Sequence, residues 1–499
     1  MSEDTRADAK TGRGLFPILT QQRRAPWAWV VMIQAPWLTT IYLEQLSSTA
    51  LTFTLRKFIE LPLLITLIGS FNILFNVLVG ASCNYASDRV WTRIGRRRPF
   101  LVFGFGIAVL LLVAIPLVGQ LWVLVMLLCL YEMLRDVNSP QEPLANEVVP
   151  PEQRGRSNAV AQIVRNVGIL FFFSVMIGQF DKTFELGGFT LTGEMLIYWT
   201  GALMGMATAA GYLLLVRELP PPAAASPPGD CAADDLAPPA AARSEAIDEP
   251  APAPSLAVGR RLRRPSLGRL VAFLKDVFGE RQNWLIYTIA LSQMTFWIGL
   301  GQLTPLLYTE QWGFSKDDYG KIVSYGGWAA FAVIPLAGWM ADKIDRARAF
   351  AACAILTTIQ TAALYVYARH FAPGGQPEVW VLVTLAVAGL VINNVGVMTS
   401  VALMFDYVQT SRMGTVSAGI GISRGVAGLL VNNGVGLWVT LYSGWFPADT
   451  PTGADYLAGY HYLIFLGVLA SAAAIYFAVQ AKRGKLVRHG VLEQQARTA

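Results

Sequence analysis

Charge is scarce in this chain. Only 14% of its 499 residues are Asp, Glu, Lys or Arg, against about 25% in soluble domains. Hydrophobic residues make up 54%, with 14 Trp among them, which is the composition of a polytopic membrane protein. Cysteine is scarce too. Cys83, Cys129, Cys231 and Cys353 lie far apart, three of them in apolar segments, and offer neither a metal-ligand spacing nor a disulfide framework. Residues 1–24 are polar and basic, and the first apolar stretch runs past Trp27 without a small-residue cleavage pattern, so no cleavable signal peptide is expected. The sequence offers no nucleophile–base pair, phosphate loop or metal cluster, which argues against an enzyme and implies no cofactor. A net charge of +6 and a pI near 9.1 would suit a nucleic-acid binder. The cations instead sit in short loops between apolar segments, where they anchor one membrane face, so nucleic acid is not an expected partner.

Long apolar runs dominate the rest. A span needs about 20 mostly apolar residues, and such segments fall near 27–50, 59–82, 99–119, 121–143, 158–180 and 194–216, then near 283–308, 318–341, 349–369, 378–403, 413–441 and 456–480. That is twelve spans in two groups of six. Arg23/Arg24, Arg89 to Arg98, Arg154/Arg156, Arg260 to Arg264, Lys343 to Arg348, Arg412 and Lys482 to Arg488 all fall on one side. By the positive-inside tendency both termini are expected in the cytoplasm, in a bacterial inner membrane. Arg56-Lys57 breaks the pattern. The expected organisation is a tail (1–24), a six-helix bundle (25–216), a linker (217–280), a second bundle (281–481) and a tail (482–499). Residues 217–258, rich in Pro and Ala, lack the apolar surface to order themselves. Apolar residues at helical spacing over 265–279 predict an amphipathic helix on the inner membrane surface.

The two halves echo each other. Ala86-Ser87-Asp88-Arg89, followed by Arg93 to Arg98, matches Met340-Ala341-Asp342-Lys343, followed by Asp345-Arg346-Ala347-Arg348. Leu144 to Val149 with Arg154 matches Leu403 to Val408 with Arg412, and an intramembrane arginine follows each, Arg165 and Arg424. Parallel six-span repeats are the architecture of transporters that rock two halves about a central site.

The run from Ser87-Asp88-Arg89 to Gly95-Arg96-Arg97-Arg98-Pro99-Phe100 resembles the loop between spans two and three of the major facilitator superfamily. More narrowly it resembles the sucrose–proton symporter group, near the glycoside–pentoside–hexuronide carriers, whose segment closing span four is matched loosely by Ser139 to Pro150. The resemblance implies an all-α membrane protein, with twelve transmembrane helices in two pseudo-symmetric six-helix bundles, working as a monomer. It also implies proton-driven import of a saccharide or glycoside by alternating access. Two positions depart from the pattern. Glu142 stands where that group carries an arginine important for sugar transport, and Asn76 and Gly80, with Asn72 a turn earlier, stand where melibiose-type carriers place paired aspartates for sodium. The rival readings are an exporter, a carrier of another solute such as an organic anion, and a non-transporting membrane protein of the same fold.

A charge at mid-membrane costs about 2.5–3.5 kcal/mol on insertion scales, which makes intramembrane acids and arginines the first candidates. Glu132 and Asp136 share a helix face at i, i+4, beside Arg135. By the helical rise they lie about 16 Å and 10 Å from the inner end of span four, and Arg165 about 12 Å deep in span five. The depths permit an Asp136–Arg165 or Glu132–Arg165 pair, either a site for the driving proton or a permanent brace. Glu44, expected close to the outer end of span one, is a second coupling candidate. The solute candidates are Gln293, Trp297 and Gln302 in span seven, Tyr325 and Trp328 in span eight, and Asn393 and Asn394 in span ten. Span eleven adds Asn432, Asn433 and Arg424, the last about 18 Å deep and the leading donor to hydroxyls or a carboxylate. Each Asn or Gln can equally serve as an interhelical bond. Asp88, with Arg89, Arg93, Gly95 and the echoing Asp342, is expected to gate the cytoplasmic side, while Arg96, Arg97 and Arg98 are expected to anchor to anionic membrane lipid.

Overall fold

The computed structural model describes residues 18–19, 25–87, 90–149, 153–218, 274–275, 277–372, 375–407 and 413–483. Most of the tails and of the linker, together with Asp88, Arg89 and residues 265–273 of the expected amphipathic helix, lie outside the described residues. Each expected span holds a helix. In the first half these are α1 (27–56), α2 (62–87), α3 (Arg98–Ala114), α4 (Leu121–Asp136, continued by Gln141–Val148), α5 (154–179) and α6 (Gly193–Leu215). In the second they are α7 (Arg281–Ile298, continued over 301–311), α8 (Lys316–Lys343), α9 (346–371), α10 (Val379–Asp406), α11 (Met413–Trp445) and α12 (Gly459–Lys482). Among the described residues, seven helices are long and apolar enough to cross a membrane by length and composition alone.

Strands are few. Ile18–Leu19 (β1) pairs in parallel with Val216–Arg217 (β4), and Thr183–Leu186 (β2) forms an antiparallel hairpin with Phe189–Thr192 (β3). Gly187 and Gly188 turn the hairpin at φ 56° and 88°, the positive-φ pair that tight two-residue hairpins require. The hairpin marks one end of the molecule, and the loops at 92–97 and 344–345 mark the other, called here the arginine end.

Several spans depart from regular helix. π turns interrupt α1 at Leu46–Ala50, α2 at Asn76–Gly80 and α5 at Phe172–Met176, and α7 breaks at Gly299, φ 51°. Backbone groups released within a span must find partners from neighbouring helices. In α2 one of them does so through Ser139, whose Oγ donates to the Gly80 carbonyl at 2.8 Å.

Two expectations change here. α1 runs on to Arg56 rather than ending near 50, so Glu44 lies about 18 Å from the hairpin end of its helix, near the middle rather than at the rim. The last turn of the predicted amphipathic segment docks on the second bundle. Val277 is fully buried, and Phe278 packs between Trp284 and Tyr287 with ring centroids 5.4 and 5.3 Å away.

Candidate functional site

The arginine loop is built around Gly95. Its φ of 120° suits glycine, and a Cβ there would meet the Glu218 carboxyl group at 2.8 Å. That carboxylate accepts from the backbone N–H groups of Arg96, Arg97 and Arg98 at 2.9, 3.0 and 2.7 Å, at the positive N-terminal end of α3. Arg98 donates to the carbonyls of Tyr212, Leu213 and Ile94, tying α3 to the end of α6. Arg96 and Arg97 both pair with Glu147 at the end of α4, Arg97 at 3.0 Å. The expected lipid anchors Arg97 and Arg98 are therefore buried braces, and Arg96 is half-buried, because acids and carbonyls of the same half claim their guanidinium groups. Among the described arginines of this loop, Arg93 alone is exposed, lining a cleft of about 420 Å³ with Trp91 and Arg217. The second half repeats the device. Arg346 pairs with Asp406 at 2.7 Å, and Asp345 caps α9 by accepting from the Arg348 N–H at 2.9 Å. The side chain of Asp342 lies outside the described residues, as does the rest of the expected gate at Asp88 and Arg89.

A polar cluster fills the interior of the first half. Glu132 and Asp136 are both buried. Arg135, one turn from Glu132, approaches its carboxylate to 3.1 Å and bonds across to α1 through Ser47 at 3.1 Å and to α2 through Asn72. Asn76 donates to Asp136 Oδ1 at 3.3 Å, and Asp136 Oδ2 has no hydrogen-bond partner. Arg165 is not the partner of either acid. Its guanidinium lies 3.6 Å over the ring of Trp37 in α1, and the acids whose fields reach it are Glu142 and Glu44. Arg135, on the same helix as both acids, occupies the place the depth argument gave to Arg165. Glu44 is exposed and close enough for its charge to act on Arg135, Asp136 and Arg165, whereas Arg165 itself stands apart from Glu132 and Asp136.

The solute candidates divide. In the second half Arg424 donates through Nη2 to Gln293 Oε1 of α7, while its Nε is buried without a partner. Tyr325 and Trp328 are exposed on α8, 52% and 63%. Asn394 bonds the Leu390 carbonyl of its own helix at 2.8 Å, Asn393 is half-buried, and the side chain of Trp297 is outside the described residues. Three others are latches between the halves. Asn432 donates to the Thr66 carbonyl at 2.9 Å and Ser70 Oγ at 2.8 Å, Ser70 donates to Asn433 at 3.0 Å, and Gln302 donates to the Gly69 carbonyl at 3.2 Å. These satisfy the interhelical alternative rather than the solute one.

Further latches among the described residues lie toward the hairpin end. Arg56 of α1 grips Glu310 in the continuation of α7 with two bonds, 2.6 and 3.2 Å, and Tyr456 adds a third to that carboxylate at 2.8 Å. Ser174 meets Ser324 at 2.7 Å, Thr440 accepts from the Leu63 N–H at 3.1 Å, and Lys316 pairs with Asp181 while lying 4.2 Å over Phe180. Among the described residues, the hydrogen bonds and ion pairs that join the halves all lie toward the hairpin end. Sequence reasoning missed Glu310, Glu147 and Glu218. The signal for Glu310 was present in Arg56, a cation on the wrong side that needed an acid opposite it.

Two helical bundles joined by latches toward the hairpin end, with polar and charged side chains inside both, have the form of a two-bundle membrane transporter. The family model of the Major Facilitator Superfamily matches residues 2–173 and 184–432, and the chain belongs to that superfamily. It is a transporter, not an enzyme. No curated protein matches the chain. Solved structures of similar fold include a bacterial homologue of the human lysosomal transporter Spinster in an inward-facing, unoccupied conformation (12% identity, 90% of this chain and 96% of that one covered, TM-score 0.62). The nucleoside transporter NupG (11% identity, 90% and 98%, 0.59) and a D-xylose-proton symporter (14%, 90% and 95%, 0.56) are also similar. At these identities the likeness concerns fold.

Proposed function

We propose that this transporter is a proton-coupled importer of a small polar solute, a saccharide or glycoside, with Asp136 as the proton-carrying group and Arg424 as the central solute contact. The observation that carries the coupling half of this reading is the unpartnered Oδ2 of Asp136, in a residue only 6% exposed. An oxygen with no donor facing it can carry a proton itself, and a buried polar atom otherwise lacks compensation. Glu132 Oε2 likewise lacks a hydrogen bond, but it faces Arg135 Nη1 at 3.1 Å, and that ion pair makes Glu132 the fixed acid of the two. With the arginine end taken as cytoplasmic, the latched hairpin end is the external gate, and the solute site opens inward.

The saccharide assignment draws on the resemblance of the Ser87–Phe100 loop and on the chemistry around Arg424. The bonded pair Arg424–Gln293 offers side-chain donors and acceptors that suit ring hydroxyls. The unpartnered Nε of Arg424 also favours a second reading, a solute bearing a carboxylate. Proteoliposomes with an imposed pH gradient and a panel of labelled pentoses, hexoses, disaccharides and sugar acids test both. Accumulation of a neutral sugar that Asp136→Asn abolishes supports the proposal. Accumulation of sugar acids alone selects the second reading, and unimpaired accumulation in Asp136→Asn removes that residue from the coupling role.

A further inference from the structure

Asp136 and Arg424 belong to different halves, yet only a few contacts separate them. α4 holds the π turn of α2 at both ends, through Asn76 on Asp136 Oδ1 at 3.3 Å and through Ser139 on the Gly80 carbonyl at 2.8 Å. The residue after Asn76, Val77, seats its Cγ2 where a Cβ of Gly425 would lie, so α2 and α11 meet there with nothing between side chain and backbone. Gly425 is next in the chain to Arg424. Val77–Gly425 lies on the arginine-end side of the other α2–α11 contacts Leu63–Thr440, Thr66–Gly436 and Ser70–Asn432.

We infer that the π turn Asn76–Gly80 is the coupling element, transmitting the protonation state of Asp136 to the contact between the halves at Gly425, with Asn76 and Val77 as positioning residues. The inference rests on the proton-coupling reading above. A π turn holds an extra residue relative to an α turn, and such turns recur at functional sites in helices. A charge-assisted bond is roughly twice as strong as a neutral one, so a proton on Asp136 loosens its hold on Asn76 and frees the turn to shift. Val77 moves with it, and Gly425 has no side chain to absorb the movement. The other ionisable groups facing Asp136 are Arg135, Glu132 and Tyr131 of α4, Glu44 of α1 and Cys83 of α2. They stay in place in every variant below.

The test needs no solute. Spin labels at Glu185 and Asp449, both exposed at the hairpin end on opposite halves, report the distance between halves by pulsed electron resonance. Between pH 5 and pH 8 the wild type is expected to change its distance distribution, and Asp136→Asn to lose that change. Val77→Ala and Asn76→Ala are expected to lose it as well, with Asp136 intact, while Val77→Ile keeps it. Retention of the wild-type pH response in both alanine variants overturns the inference. A pH-independent wild type instead removes the proton-coupling reading on which it stands, and a variant that loses its thermal unfolding transition is a packing defect and counts against the positioning role.

Discussion

The latch between Arg56 and Glu310 sets a measurable population. Both side chains are largely buried, 13% and 15% exposed, and the carboxylate accepts two bonds from Arg56 and one from Tyr456. Hydrogen bonds to charged groups contribute about 1.5–3 kcal/mol each, and neutral ones about half that. Glu310→Gln keeps the shape but replaces the ion pair by a cation–amide contact and, with one acceptor oxygen in place of two, loses at least one of the bonds. Both partners regain water when the hairpin end opens, which offsets part of the loss, leaving about 2 kcal/mol against the closed state. That shift multiplies the open fraction by about 30. The Glu185–Asp449 label pair should then show a new long-distance population in Glu310→Gln that is absent in wild type. Exchanging the charges, Arg56→Glu with Glu310→Arg, should suppress it. An unchanged distribution in Glu310→Gln would refute the claim that this pair holds the end closed.

Other consequences concern stability. Gly95→Ala forces a side chain into φ 120° against the Glu218 carboxyl, a strain of about 1–3 kcal/mol that should lower the unfolding temperature in detergent. Glu147→Gln should destabilise more than Asp406→Asn, since Arg97 is buried whereas Arg346 is 40% exposed, and exposed pairs contribute about 0–1 kcal/mol; equal losses would contradict this. Trp37→Ala removes the surface under Arg165 and should cost about 0.5–2 kcal/mol, read in the same thermal assay.

Much of this architecture is written in the sequence as period and echo. Apolar runs place the helices because a span must be long and mostly apolar. The pairing of Leu144–Val149 with Leu403–Val408 anticipates a shared device, realised as Arg96 and Arg97 on Glu147 and Arg346 on Asp406. The echoed arginines Arg165 and Arg424 each reach the first helix of their own half, Trp37 and Gln293. What the sequence hides is partnership at long range. Depth alone allowed Arg165 to pair with Asp136 or Glu132, but helix rotation gave the acids to Arg135 and Asn76. Asn432 and Asn433 face the other bundle because α2 and α11 cross there, a packing fact that no local pattern carries. The π turn of α2 is equally silent, since Asn76 to Gly80 reads as ordinary apolar helix.

Proton movement during transport tests the central claim most directly. With the purified protein in proteoliposomes and a pH-sensitive dye outside, adding the sugar that the uptake panel selects should make the external medium alkaline, as protons enter with solute. Asp136→Asn should abolish that signal. Solute entry with no accompanying proton flux in the wild type would contradict it.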